Sequence, residues 1–331
     1  DNQGGMAQDM DLIAVDITGT DFEPTFTNVD AAVNTDPSTA CSVQYQIPAV
    51  ATAEPGRCSE TVSVTVNTLG ALPGQSITLL PGVNVIEYTA TNTNGTYTDS
   101  YNVTVTDDDA PYIVGGSCPT DFNAGAPDNG VCTAEGSWTN PSLDDNCSIA
   151  SAVITFVAGT ATSVPASINI SSNGGGVTTA DFSPGTTTAT LTVTDDATIA
   201  NTFTCSWVIT VDPDDQKPVV TGVPSADVDL DALSQCTAVF TSAPAITATD
   251  NCTATTALTW TLSADNSATV GTASGTDIAD LDAALDDITF GLGTTTVSLV
   301  VFDAENLFDT ESFDVVVTDN ADPVITGTPV A

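Results

Sequence analysis

The chain has 331 residues, with 43 aspartates and glutamates against two cations, Arg57 and Lys217, no histidine and a formal net charge of −41. That balance excludes neutralisation of nucleic-acid phosphate and docking on anionic lipid, and it leaves neither a nucleophile–base pair nor an oxyanion cation, so no enzyme is expected. At 41% apolar the chain nevertheless buries real cores, and its length fits two or three units of about 100 residues.

Like charge at this density opposes compaction unless counter-ions screen or coordinate it. Cations therefore belong to the physics of the chain, either as general screening of an acidic surface or in discrete divalent-ion sites. No apolar run is long enough to cross a bilayer and no basic-then-apolar leader opens the sequence, as expected of a processed secreted protein or a segment of a longer one.

Taken in chain order, Val62, Val64 and Val66 alternate with polar residues, and "LLPGVNVIEYTATN" (79–92) and "YTDSYNVTVTD" (97–107) follow with the same period. Period-two patterning with β-branched enrichment predicts half-buried strands. The joint "VTVTDDDAPYIVGG" (103–116) then crowds three aspartates before a proline. Related blocks recur as "FSPGTTTATLTVTD" (182–195) and "NTFTCSWVITVD" (201–212), the joint "ITVDPDDQKPVVTG" (209–222), then "FGLGTTTVSLVVFD" (290–303), "FDTESFDVVVTD" (308–319) and the joint "VVVTDNADPVITGT" (315–328). Gly82, Gly185 and Gly293 stand at equivalent turns. The joint prolines Pro111, Pro218 and Pro323 are 107 and 105 residues apart. This internal period predicts three units, 1–107, 108–213 and 214–319, with 320–331 beginning a fourth or forming a strand for assembly. Short strands punctuated by Gly, Pro, Asn and Asp predict an all-β chain of tandem immunoglobulin-like β-sandwiches arranged end to end. In the third unit Ile278, Leu281 and Leu285 fall at helical spacing and predict one short helix.

The eight cysteines lie at 41, 58, 118, 132, 147, 205, 236 and 252 with no CxxC pair, which points to disulfides in an oxidising compartment and away from a zinc site. Each unit holds one short-range pair, so the expected bonds are Cys41 to Cys58, Cys132 to Cys147 and Cys236 to Cys252. Cys118 and Cys205 occur only in the second unit, and their joint absence elsewhere pairs them. In the chain-entropy view a short loop of this kind contributes about 3 kcal/mol.

"SCPTDF", "NGVCTAEGSWTNPSLDDNC" and "FSPGTTTATLTVTDDATIANTFTCSWVITV" in the second unit, with "QCTAVFTSAPAITATDNC" and "FGLGTTTVSLVVFDAEN" in the third, resemble the hyalin repeat family, particularly the tandem copies in large bacterial surface proteins. The first unit departs most, with "EPGRC" where the others have "DNC". The resemblance implies an extracellular, cell-surface location, an architectural or adhesive role, and no catalytic residues.

The sharpest candidate ligands are the joint carboxylates Asp107, Asp108 and Asp109, then Asp212, Asp214 and Asp215, then Asp319 and Asp322, each set beside a rigidifying proline. Calcium takes six to eight hard oxygens in irregular geometry, so a joint and two adjoining loops can complete a cage; the alternative is a solvated Asp-Pro turn. The joints are also similar to the calcium-binding linkers of cadherins, where an acidic segment ends in proline. Asp195, Asp196, Asp303 and Glu305 occupy matching loop positions, as do Asp144, Asp145 and Asp250 before "NC", and they are further candidate ligands. Trp138, Trp207 and Trp260 suggest either a sugar-stacking surface or core positions, with the core favoured for Trp207. Five Asn-x-Ser/Thr triplets begin at 94, 102, 146, 169 and 251, frequent by chance in a Thr-rich chain.

The expected function is a structural segment of an extracellular stalk or filament of the cell-surface adhesin type, its partners being neighbouring repeats, copies of itself and a surface ligand that the sequence does not identify. The alternatives are a self-assembling filament or surface-layer subunit, and a calcium-dependent carbohydrate or protein binding module.

Overall fold

The structure is a computed structural model describing residues 31–34, 41–48, 61–66, 69–72, 74–92, 95–232, 235–265, 271–324 and 327. Three times along the chain, a five-stranded sheet forms with the same order. In the second unit it runs Ile168–Asn169, Ile149–Ala158, Gly185–Asp195, Thr202–Val211, Phe122–Asn123. The long hairpin Gly185–Asp195 and Thr202–Val211 is antiparallel in continuous register from Gly185 opposite Val211 to Thr194 opposite Thr202. The short Phe122–Asn123 strand enters parallel to Thr202–Val211, placing Phe122 beside Ile209. In the third unit Val228–Asp231 pairs parallel to Phe308–Thr318 in the same way, and in the first Ala31–Asn34 pairs parallel to Gly95–Thr106.

Short two-stranded ladders cover the other face. They are Val43–Gln46 with Ser76–Leu79 in the first unit, Ala134–Thr139 with Val177–Phe182 in the second, and Thr237–Ala238 with Phe290–Gly291 in the third. Each core lies between the two layers: Ala134, Trp138 and Phe182 from the ladder meet Ile154, Leu191, Trp207 and Ile209 from the sheet. This is the arrangement period-two sequences dictate, since alternate residues of Gly185–Asp195 are buried from Thr187 to Asp195 and the intervening ones face outward. The expected all-β tandem sandwich is what the chain adopts.

Trp138 and Trp207 lie 5.7 Å apart in the second core, and Trp260 is 2% exposed with its indole N–H donated to the Asp277 carbonyl at 2.8 Å. All three tryptophans therefore serve packing, and a sugar-stacking surface built on them is ruled out. The helical stretch of the third unit is a 3-10 turn, Ile278–Asp280, running into Leu281–Asp286. Asp277 caps it by accepting the Ala279 N–H, and Leu281 and Leu285 point into the core fully buried. Of the Asn-x-Ser/Thr triplets, Asn94 lies outside the described residues.

The turn glycines have distinct environments. Gly185 has φ +113° and Gly293 φ +98°, values that favour glycine, but a Cβ on Gly185 would also meet Ala161 N and Thr160 C at 2.7 Å whereas Gly293 faces open space. Gly293→Ala is expected to cost about 1–3 kcal/mol through backbone strain, and Gly185→Ala distinctly more, in denaturant unfolding followed by tryptophan fluorescence. Equal losses would mean that backbone contact at Gly185 is relieved without cost.

Candidate metal centre at the joint between units

The cysteines correct the sequence expectation. Cys41 bonds Cys147 and Cys132 bonds Cys252, across 106 and 120 residues of sequence and with Cα separations of 4.3 and 4.6 Å. The expected pairs Cys41–Cys58, Cys132–Cys147 and Cys236–Cys252 are therefore wrong; Cys236 is an exposed thiol, and Cys58 lies outside the described residues. The reason is geometric. Cys132 precedes and Cys147 follows the strand Ala134–Thr139, which at about 3.3 Å per residue carries the chain roughly 20 Å, beyond the reach of about 7 Å between disulfide-linked Cα atoms. In the second unit Cys132 and Cys147 stand at opposite poles, and each bonds across a joint. Cys118 is bonded to Cys205 within the second unit.

The Cys132–Cys252 bond carries the turn Asp250-Asn251-Cys252 of the third unit onto the end of the second. Asn251 Nδ2 donates to the Val131 carbonyl at 3.3 Å and to Asp214 Oδ1 at 3.1 Å. Asp250 Oδ1 accepts the N–H groups of Cys252 and Thr253 at 2.9 and 2.6 Å, an Asx turn that fixes the carboxylate. Asp214, in the joint, accepts the Gln216 N–H on the same Oδ1, and Gln216 reaches back to the carbonyls of Pro127 and Asp128 in the second unit at 3.1 and 3.2 Å. Asp303 Oδ1 accepts the Leu307 N–H at 2.8 Å.

Asp214, Asp250 and Asp303 each have one oxygen committed to the backbone or to a neighbour and one left over, and Asn251 commits its amide nitrogen and leaves its oxygen over. Asp214 Oδ2, Asp250 Oδ2, Asn251 Oδ1 and Asp303 Oδ2 are buried and accept no hydrogen bond. Asp214 is 5% and Asp303 4% exposed, and an unsatisfied buried oxygen costs about 1–3 kcal/mol, more when charged. Glu305 brings a further carboxylate: oxygens of Asp214, Asp303 and Glu305 all lie within 4.8 Å of one another. Two oxygens each about 2.4 Å from a shared calcium ion can be at most about 4.8 Å apart, so the separation suits a common cation. Without one, burial pushes the Asp303 carboxyl up, and the charges of Asp250 and Asp214 add to the shift despite the Leu307 hydrogen bond. Desolvation, followed by the charges of Asp303, Asp214 and Asp250, raises Glu305 likewise.

The preceding joint has the same skeleton and different chemistry. Asn146 Nδ2 donates to Asp107 Oδ1 and Asp109 Oδ2 at 3.2 and 3.3 Å, and Asp145 Oδ1 accepts the Cys147 N–H at 2.8 Å. Asp195 occupies the place of Asp303, but Asn201 both donates its N–H to Asp195 Oδ1 at 2.9 Å and caps Asp195 Oδ2 with its amide at 2.8 Å. Leu307, whose N–H plays the same part toward Asp303, has no such amide, and Ala197 stands where Glu305 does. Burial, with Asp107 and Asp195 adding their charges, raises the Asp145 carboxyl, whose Oδ2 is also without a donor. Both joints thus set an Asn amide on the joint aspartate, and they differ at Asp195, whose Oδ2 takes the Asn201 amide, where Asp303 Oδ2 accepts no hydrogen bond.

The remaining sequence candidates stand apart from this cluster. Asp212 Oδ1 accepts from Asn123 at 2.7 Å. Asp108, Asp196 and Asp215 are exposed. Asp319 and Asp322 are exposed as well, with Asp319 closing a local turn to the Ala321 N–H. Sequence reasoning found Asp214 and Asp303 and, as secondary candidates, Asp250 and Glu305; it missed Asn251, whose signal was the repeated Asp-Asn-Cys triplet. Beside the cluster, Lys217 pairs with Asp309 at 2.7 Å; burial alone would raise the Asp309 carboxyl, but the lysine outweighs it and the group sits below its usual range.

No protein-family model matches the chain and no curated protein matches its sequence. Among solved structures, the first three extracellular domains of Drosophila N-cadherin align at 12% identity over 88% of this chain and 99% of that one, with a TM-score of 0.29. A three-domain fragment of mouse cadherin-23 aligns at 16% identity over 88% and 96%, TM-score 0.29, and an I-band fragment of titin at 9% over 88% and 95%, TM-score 0.27. Superpositions this loose carry no functional argument, and the site rests on its own geometry.

Asp303→Asn is expected to raise the stability of the chelator-treated protein by about 1–2 kcal/mol. The amide keeps the acceptor for Leu307, removes one charge and can donate to a bare oxygen opposite. A loss of stability in chelator would show that the carboxylates balance one another without a cation.

Proposed function

We propose that this chain is a structural segment of an elongated extracellular stalk, of the cell-surface adhesin type, whose joints are closed by an inter-unit disulfide and a calcium ion. The carrying observation is the joint between the second and third units, where a disulfide presses together oxygens from both sides that have no donor of their own. Disulfides of this number belong to oxidising compartments, which supports an extracellular setting, attached or released. Asp214, Asp250, Asn251, Asp303 and Glu305 would hold the ion, and water would complete the six to eight ligands calcium takes. Asp107, Asp145 and Asp195 would form a weaker counterpart at the first joint, because Asn201 already answers part of its charge. Magnesium demands near-ideal octahedral geometry, which side chains already fixed by backbone turns do not offer.

A stalk needs resistance to bending and extension at the joints, and both devices act there. The unit boundaries at 107/108 and 213/214 follow as part of this reading. Self-assembly into a filament uses the same joints between copies and is the second reading. A carbohydrate-binding module is disfavoured because Trp138, Trp207 and Trp260 are 6%, 2% and 2% exposed.

Melting of the full chain should rise on calcium titration by on the order of 10 °C at a hundredfold excess over Kd, reverse with chelator, and rise far less with magnesium or with sodium at matched ionic strength. Asp214→Asn with Asp303→Asn should abolish the calcium-specific part. Equal rises with all salts would reduce the clusters to screened surface charge and sink the calcium clamp.

A further inference from the structure

Three cysteines occupy one structural position. Cys41 lies two residues before Val43–Gln46, Cys132 two before Ala134–Thr139, and Cys236 one before Thr237–Ala238. Each of these strands pairs antiparallel with the segment entering its unit's long hairpin, Ser76–Leu79, Val177–Phe182 and Phe290–Gly291. In the first two units the cysteine bonds forward, to the Asp-Asn-Cys cysteine of the following unit, Cys147 or Cys252. In the third it is an exposed thiol, and the sequence holds no cysteine after Cys252.

The surroundings of Cys236 repeat those of Cys132. In the second unit Ala124 N donates to the Thr210 carbonyl at 2.8 Å and Asp212 N to the Gly125 carbonyl at 2.9 Å, so the stretch leading to Cys132 starts alongside the strand that leads into the joint. In the third unit Ala232 N donates to the Thr318 carbonyl at 3.0 Å and Gln235 N to the Ala232 carbonyl at 2.9 Å, which brings the stretch leading to Cys236 beside Asp319. Asp319 stands four residues before Pro323, as Asp214 stands before Pro218 and Asp107 before Pro111. Asp107 and Asp214 are 8% and 5% exposed because the next unit's Asp-Asn-Cys turn covers them, whereas Asp319 is exposed. Thiol and carboxylate, both covered twice in this molecule by one type of turn, are both bare at the third unit.

We propose that Cys236 is the outgoing half of a third inter-unit staple, forming a disulfide with the Asp-Asn-Cys cysteine of a further unit of this kind that follows residue 319 on the same polypeptide, with Asp319 as its joint carboxylate. The inference rests on the disulfide pattern and not on calcium. The step is a thiol–disulfide exchange with a low-molecular-weight disulfide as oxidant. One protein thiolate displaces a small thiolate to give a mixed disulfide, the second protein thiolate displaces the other, and the two protons of the protein thiols end on the two released small thiols.

The test extends the chain with a second copy of residues 215–331 placed directly after residue 319, so that Asp319 stands four residues before the added Pro218, folds it in a glutathione redox pair, alkylates free thiols and maps the disulfides. The expected result is Cys236 of the original third unit bonded to Cys252 of the added copy, with Cys236 of the added copy recovered alkylated. Recovery of the original Cys236 alkylated, or bonded to Cys58, in molecules that contain the Cys132–Cys252 bond would overturn the proposal, as would covalent dimers joined through Cys236. Appending residues 108–213 instead, with Cys147 as the counterpart, gives an independent version should the first extension fail to fold. In both versions the linked product should carry two alkylated thiols fewer than one in which these two cysteines stay unlinked, read by intact mass after alkylation.

Discussion

The structure turns on like charge forced together at a joint. Asp214 leaves the second unit, Asp250 and Asn251 arrive on the Cys252 turn, and Asp303 and Glu305 come from the loop between the long strands of the third unit. In a low-dielectric contact such a set repels itself strongly, and a chain with a net charge of −41 has almost no cations of its own to supply. The disulfide prevents the joint from opening to relieve the repulsion. Under the calcium proposal, a bound divalent cation would convert the same arrangement from a cost into a clamp.

Few residues separate the chemistry of the two joints. Asn201 donates an amide to Asp195, and the equivalent Leu307 donates only its backbone. Glu305 adds a carboxylate where Ala197 adds nothing. An Asn donor answers such a buried oxygen internally, whereas a metal ion would answer it from solution, so under the calcium proposal stiffness at the second joint would follow the medium more closely than stiffness at the first.

Much of the fold was legible because a strand writes its burial with period two: Thr187, Ala189, Leu191, Val193 and Asp195 are buried in turn, and the helix of the third unit was readable from Ile278, Leu281 and Leu285. Asp214 and Asp303 were legible as acidic residues in repeated positions. The disulfides were not. Cysteines 15 or 16 residues apart in sequence look like natural partners, and only the strand between them shows that they sit at opposite poles of a sandwich. The role of Asn251 was hidden for a related reason, since its partners Val131 and Asp214 belong to the preceding unit and joint. Asp108, Asp196 and Asp215 carry the same acidic signal but face solvent, a distinction set by backbone direction in a turn and not by residue type.

The most direct measurement is an anomalous difference map from crystals of the oxidised chain grown with calcium. A calcium clamp gives a peak enclosed by Asp214, Asp250, Asn251, Asp303 and Glu305, stronger than any at Asp107, Asp145 and Asp195, and located beside an intact Cys132–Cys252 bond. Ordered carboxylates at that joint with no peak between them, in crystals that show calcium elsewhere on the chain, would contradict it.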